Sequence, residues 1–158
     1  MKRLFLTLAA LVVAVSGFAQ ISITTPSQNL KLQFKGARTS GGNVEVTMLV
    51  TNLSDSEVVL NLVGGQYQTG MAGSVAYDSE GNVYEIGDIL VSVGNKSYSD
   101  QYCAGNFPSK VPVKCHVLVK DVAREASSLT KIKLCLLCPQ LGIQNTGVCF
   151  ELNDVNFK

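Results

Sequence analysis

The 158-residue chain carries 13 basic and 12 acidic side chains, a formal net charge of +1. The two signs are interspersed, so no basic stripe exists to neutralise a phosphate backbone, which argues against nucleic acid as a partner. The chain opens MKRLFLTLAALVVAVSGFAQ. Lys2 and Arg3 precede an apolar run over 4–15 and the small-x-small triplet Gly17-Phe18-Ala19, the build of a secretory signal peptide cut after Ala19. The run of about a dozen apolar residues is short of the roughly 18 to 20 of a spanning helix. No cysteine follows it to accept a lipid. The expectation is a signal peptide over 1–19 and one domain over 20–158, periplasmic or secreted, with no membrane span in the mature chain. A domain of this length can bury a core without depending on disulfides.

Apolar residues then recur with period two. In NLKLQFKGA, Leu30, Leu32 and Phe34 alternate with polar residues, and in NVEVTMLVTN Val44, Val46, Met48 and Val50 share a face; both are half-buried strands. LSDSE is turn chemistry, VVLNLV a strand, and GGQYQTGMAGS a glycine-rich loop expected to be mobile. VAYDSEGNVYEIGD reads as a hairpin with its tip at Asp78-Ser79-Glu80-Gly81-Asn82. ILVSVG is a strand, NKSYSDQYCAGNFPS an irregular connection, and KVPVKCHVLVKDV a strand whose Pro112 suits an edge near its start. DVAREASS reads as a helix of about two turns with Asp121 as N-cap. LTKIKLCLLC and GVCFELNDVNF close the chain as strands.

Eight or so short strands with turn signals between them, and one short helix, give an all-β fold: an immunoglobulin-like antiparallel β-sandwich. The run VEVTMLVTNLSDSEVVL, then AYDSEGNVYEIG, then the closing CFELNDVNF resembles secreted bacterial immunoglobulin-like domains of unknown function, the telokin-like type. The resemblance implies a fold and an extracytoplasmic setting. It implies no catalytic residues and leaves the five cysteines to be explained from their positions.

Cys135 and Cys138 have the spacing of a redox or metal motif, but no helix starts between them and Pro139 follows at once. A zinc knuckle would need a tight turn where Leu136 and Leu137 favour a strand. Cys115 and His116 are neighbours on one strand and point to opposite faces, so they serve neither one ion nor one dyad. Alternation places Cys135 outward with Lys131 and Lys133, and Cys149 outward with Glu151. They are therefore candidates for a cross-strand disulfide if the register sets them opposite. Cys138 and Cys115 face the core and Cys103 lies in the irregular connection.

The single histidine, His116, gives a Ser-His-Asp machine no second choice of base. Asp78, Glu80 and Glu85 are explained by a solvated hairpin tip before a carboxylate pair. Tyr67, Tyr98 and Tyr102 sit among Gly, Ser and Asn in loops, a composition suited to recognition. No metal and no cofactor is expected. The reading is a non-enzymatic binding or accessory module for an unknown protein or glycan ligand, against the alternative of a thiol redox or metal-handling protein using Cys135 and Cys138.

Overall fold

The computed structural model describes residues 21–66, 72–144 and 148–158. Among these residues eleven strands form two antiparallel sheets: β1 (Ser22–Thr24), β2 (Leu30–Ser40), β3 (Asn43–Asn52), β4 (Val58–Val63), β5 (Val75–Asp78), β6 (Val83–Tyr84), β7 (Ile89–Val93), β8 (Tyr102–Phe107), β9 (Pro112–Val119), β10 (Ser128–Leu137) and β11 (Cys149–Asn156). One sheet runs β1-β11-β10-β4-β8, with β5 beside β10 and β6 beside β5; the other runs β2-β3-β9-β7. The chain is thus an immunoglobulin-like antiparallel β-sandwich. The strands number more than the turn spacing suggests because β1 and β6 are short pieces at sheet margins.

Period-two patterning delivers the core directly. Val44, Val46, Met48 and Val50 of β3 face Leu60 and Leu62 of β4, and Ile132, Leu134 and Leu136 of β10, in one buried cluster. The outward residues of β3, among them Glu45 and Thr47, lie on the far side of the four-stranded sheet. Pro112 opens β9 opposite Thr51 of β3. On the other flank of β9 the β7 ladder reaches only as far as Cys115, so Pro112 has no partner there to deprive of a donor.

Two of the turn motifs are hydrogen-bond fasteners. Asn52, fully buried, donates from Nδ2 to the carbonyls of Ser56 (2.7 Å) and Phe107 (3.0 Å). Its Oδ1 accepts from the Ser54 amide (3.0 Å) and hydroxyl (2.6 Å), which fixes the Ser-Asp turn. Asp78 is buried, not solvated with the rest of its hairpin tip. Its carboxylate accepts from the amides of Glu80 and Asn82, each at 2.9 Å, from Asn82 Nδ2 at 2.9 Å and from the Tyr84 hydroxyl at 2.7 Å. Glu80 and Glu85 remain exposed.

The helix expected over 121–128 is absent. Asp121 has φ +50°, which cannot begin a right-handed helix. The amides at the would-be start are bonded elsewhere: Asp121 to Asn43 Oδ1 (3.1 Å), Val122 to the Gly42 carbonyl (2.8 Å) and Ala123 to the Tyr84 hydroxyl (3.0 Å). Two isolated turns of helix are marginal in water, and these tertiary bonds, with burial of Val122 and Ala126 at the end of the sandwich, prevail. The helical element among the described residues is a single 3-10 turn, Pro139–Leu141.

The glycine-rich loop after β4 is held closely at its described ends. Gly64 donates to Gln101 O (2.8 Å), Gly65 to Ile89 O (2.9 Å) and Ser74 to Gly64 O (2.8 Å). A Cβ at Gly65 would strike the Glu85 carbonyl, and one at Gly73 the Gly65 carbonyl. These glycines serve close backbone approach, and the middle of the loop expected to be mobile, residues 67–71, lies outside the described residues.

Candidate functional site: a polar recess on the four-stranded sheet

The β2–β3 hairpin turns at Gly41 and Gly42, with φ of +58° and +85°, the two positive values a two-residue primed turn requires. Pairing follows by counting back: Ser40 opposite Asn43, Thr39 opposite Val44, Arg38 opposite Glu45. β9 lies on the other side of β3 and places His116 opposite Thr47. The connection after β7 returns beside it, bonded at Val91 and Ser99, and lays Tyr98 over the sheet. The Tyr98 and His116 rings meet edge to face, centroids 6.4 Å apart.

Glu45 is the hub. Arg38 Nη2 lies 3.0 Å and 3.2 Å from its two carboxylate oxygens, His116 Nδ1 is 3.4 Å away, and Tyr98 lines the same recess beside it. Burial works to raise the Glu45 pKa, but the Arg38 and Tyr98 hydrogen bonds and the Arg38 and His116 charges outweigh it and hold the carboxyl below its usual range. Tyr98 moves the opposite way: burial first, then its bond to Glu45 and that group's charge, push its phenol far above the ordinary value. Arg38, Thr39, Ser40, Asn43, Glu45, Tyr98 and Leu118 enclose a recess of about 430 Å³. It offers a cation, a carboxylate, an amide, hydroxyls and an aromatic edge side by side.

The arrangement around His116 does not make a hydrolase triad. Thr47 Oγ1 (3.2 Å) and Glu45 (3.4 Å) both approach Nδ1, whereas a triad needs the acid on one ring nitrogen and the nucleophile on the other. Among the described residues no three His, Cys, Asp or Glu side chains come together as a metal site.

Of the singled-out tyrosines among the described residues, Tyr98 lines this recess. Tyr102 is not in a loop: it begins β8, outward from the seven-stranded sheet next to buried Cys103, on the opposite face of the sandwich. Tyr67 lies outside the described residues. Arg38, Glu45 and the role of His116 were not singled out from the sequence. The Gly41-Gly42 turn was a usable signal, since a two-residue loop fixes the Arg38–Glu45 register by counting.

Of the cysteines, Cys135 on β10 stands directly opposite Cys149 on β11, and a disulfide joins them with α-carbons 4.0 Å apart. Cys135 lies outside the core cluster but is buried, because the loop before β5 covers it. Its amide donates to Ser74 Oγ (2.8 Å), and its sulfur lies 3.4 Å from the Gly73 carbonyl. Cys138, just past the end of β10, is buried in the core, and Cys135 is bonded to Cys149, so the two cysteines of the C-x-x-C spacing form no dithiol. Cys103, Cys115 and Cys138 are free and buried. Cys103 is on β8, not in the irregular connection.

Among the described residues no helix is long and apolar enough to cross a membrane. No protein-family model matches the chain, and no curated protein matches its sequence. Among solved structures it is similar to the apo PmoF2 PCuAC domain, at 13% identity over 84% of this chain and 91% of that chain, with a TM-score of 0.48. It is also similar to the CBM3a-L domain with flanking linkers from scaffoldin CipA of the Clostridium thermocellum cellulosome, at 17% identity over 85% of this chain and 94% of that chain, with a TM-score of 0.31. The sandwich itself is established by the pairing of the chain's own strands.

Proposed function

We propose that the chain is an exported, non-enzymatic binding module, of the kind its resemblance to secreted telokin-like domains implies, and that its ligand is a hydroxyl-rich molecule of the glycan type. The supporting observation is the polar recess at Arg38, Asn43, Glu45 and Tyr98. Sugar hydroxyls both donate and accept, and a site for them needs paired acceptors and donors beside an apolar or aromatic surface. Here the Glu45 carboxylate is kept ionised as an acceptor, while the exposed Arg38 guanidinium retains N–H groups beyond those used on Glu45. The leader-like residues 1–19 and the Cys135–Cys149 disulfide support export.

The test is calorimetric titration with cello-, xylo-, manno- and chito-oligosaccharides. Arg38→Ala and Tyr98→Ala are expected to weaken binding by roughly tenfold or more each, the cost of a lost hydrogen-bonding partner at a site. Tyr102→Ala, on the opposite face, is expected to leave it unchanged. Binding that survives both recess variants, or no binding across the panel, would overturn the reading.

A further inference from the structure

A second hollow lies at the end of the sandwich, across Thr39 from the polar recess. Three segments converge to make it. The β2–β3 turn supplies Gly42, the strap before β10 supplies Val122, Ala123 and Arg124, and the tail after β11 supplies Phe157 and Lys158. The strap is pinned to the turn by the Val122 amide on Gly42 O (2.8 Å), and the tail to the strap by the Phe157 amide on Ser127 O (3.3 Å). Lys158 Nζ further donates to the Arg124 carbonyl (2.5 Å). The hollow is therefore walled from three sides.

Its floor is apolar: Val44 and Val122 are buried and Phe157 is half-buried. Its volume is about 250 Å³, more than the roughly 150 Å³ in which an engineered apolar cavity holds benzene. The charged side chains that line it, Arg124 and Lys158, are both cations. Asp121 and Glu125 are exposed nearby but do not line it. Arg124 enters none of the ion pairs among the described residues, so its guanidinium keeps its full set of planar donors for a ligand.

We propose that this hollow is a binding site for an organic carboxylate whose apolar part is about the size of an aryl ring. The ring seats against Val44, Val122 and Phe157, and the carboxylate meets the Arg124 guanidinium. The site is independent of the recess on the sheet. A free aryl acid and the C-terminus of a peptide ending in an aromatic residue share this chemistry.

The experiment is an NMR titration of the isotope-labelled protein with phenylpropionate, its neutral amide phenylpropanamide, and N-acetyl-phenylalanine. Saturable shifts are expected at Val44, Val122 and Phe157, with dissociation constants on the order of millimolar for ligands this small. The neutral amide is expected to bind roughly tenfold more weakly, and Arg124→Gln to remove that difference, while Arg124→Lys restores part of it. Arg124 is exposed, so the variants keep the fold. Tighter binding of N-acetyl-phenylalanine than of phenylpropionate assigns the site to a peptide terminus, and the reverse order assigns it to a free acid. The absence of saturable shifts at these residues, or equal affinity for acid and amide in the unmodified protein, would overturn the proposal.

Discussion

Asp78 shows how one side chain can hold a hairpin. Burial works to raise its pKa, yet the bonds from Asn82, Tyr84 and the amides of Asn82 and Glu80 overcome that and lower it. A carboxyl whose folded pKa lies below its unfolded value adds stability above the ordinary aspartate range, about pH 4, and loses it as pH falls through the folded value. Asp78→Ala strands four donors and is expected to cost about 2–4 kcal/mol in denaturant unfolding at neutral pH. Asp78→Asn removes the titrating group, so the unmodified protein is expected to lose more stability than this variant between neutral pH and the acid side of the window. Equal losses would show that another carboxylate dominates acid unfolding. Gly65 makes a complementary case, since its missing Cβ leaves room for the Glu85 carbonyl. Gly65→Ala is expected to lower stability by about 2 kcal/mol or more, because backbone cannot give way as a flexible side chain can; a change under about 0.5 kcal/mol would show that the loop relaxes.

At the scale of elements, the disulfide ties β10 to β11 across a sequence separation of 14. A loop of that length corresponds to about 3 kcal/mol in the chain-entropy model. Replacing both Cys135 and Cys149 with Ala is expected to lower stability by about that amount in denaturant titration, while leaving the far-UV circular dichroism spectrum unchanged. What was legible in the sequence divides along the same physical line. Strands were readable because one buried face imposes a period of two, as with Val44, Val46, Met48 and Val50. The strap over 121–128 was not, because Asp121, Ala123 and Glu125 have acceptable helix chemistry and only bonds to Asn43, Gly42 and Tyr84, distant in sequence, decide against it. The fastening role of Asp78 was hidden for the same reason: a turn aspartate looks solvated until Tyr84 closes over it. Of the polar recess, Tyr98 was visible as a loop aromatic. The Arg38–Glu45–His116 network needed the register of three strands, of which the sequence exposes only the first pairing through Gly41-Gly42.

For the molecule as a whole, the polar recess and the hollow at the sandwich end are both surface features. The free thiols lie inside: burial and the neighbouring Cys103 push the Cys115 thiol up to about 12, and burial raises Cys138 although amides at Leu141 and Gln140 work against it. Such thiols are inert nucleophiles. A thiol reagent is expected to find almost none in the native protein and all three, Cys103, Cys115 and Cys138, after unfolding without reductant; rapid native labelling would show a core that opens. The two faces of the sandwich then differ in what they present. The four-stranded sheet carries the charged recess under Tyr98, whereas the seven-stranded sheet carries Tyr102, Val59 and Asn61 around β4 and β8. The proposed binding site lies on the first of these. Its most direct test is an NMR shift map of the isotope-labelled protein titrated with the oligosaccharide that binds best. Perturbations are predicted to centre on Arg38, Asn43, Glu45, Tyr98 and His116, and a map centred on Tyr102 and the β4–β8 face would contradict it.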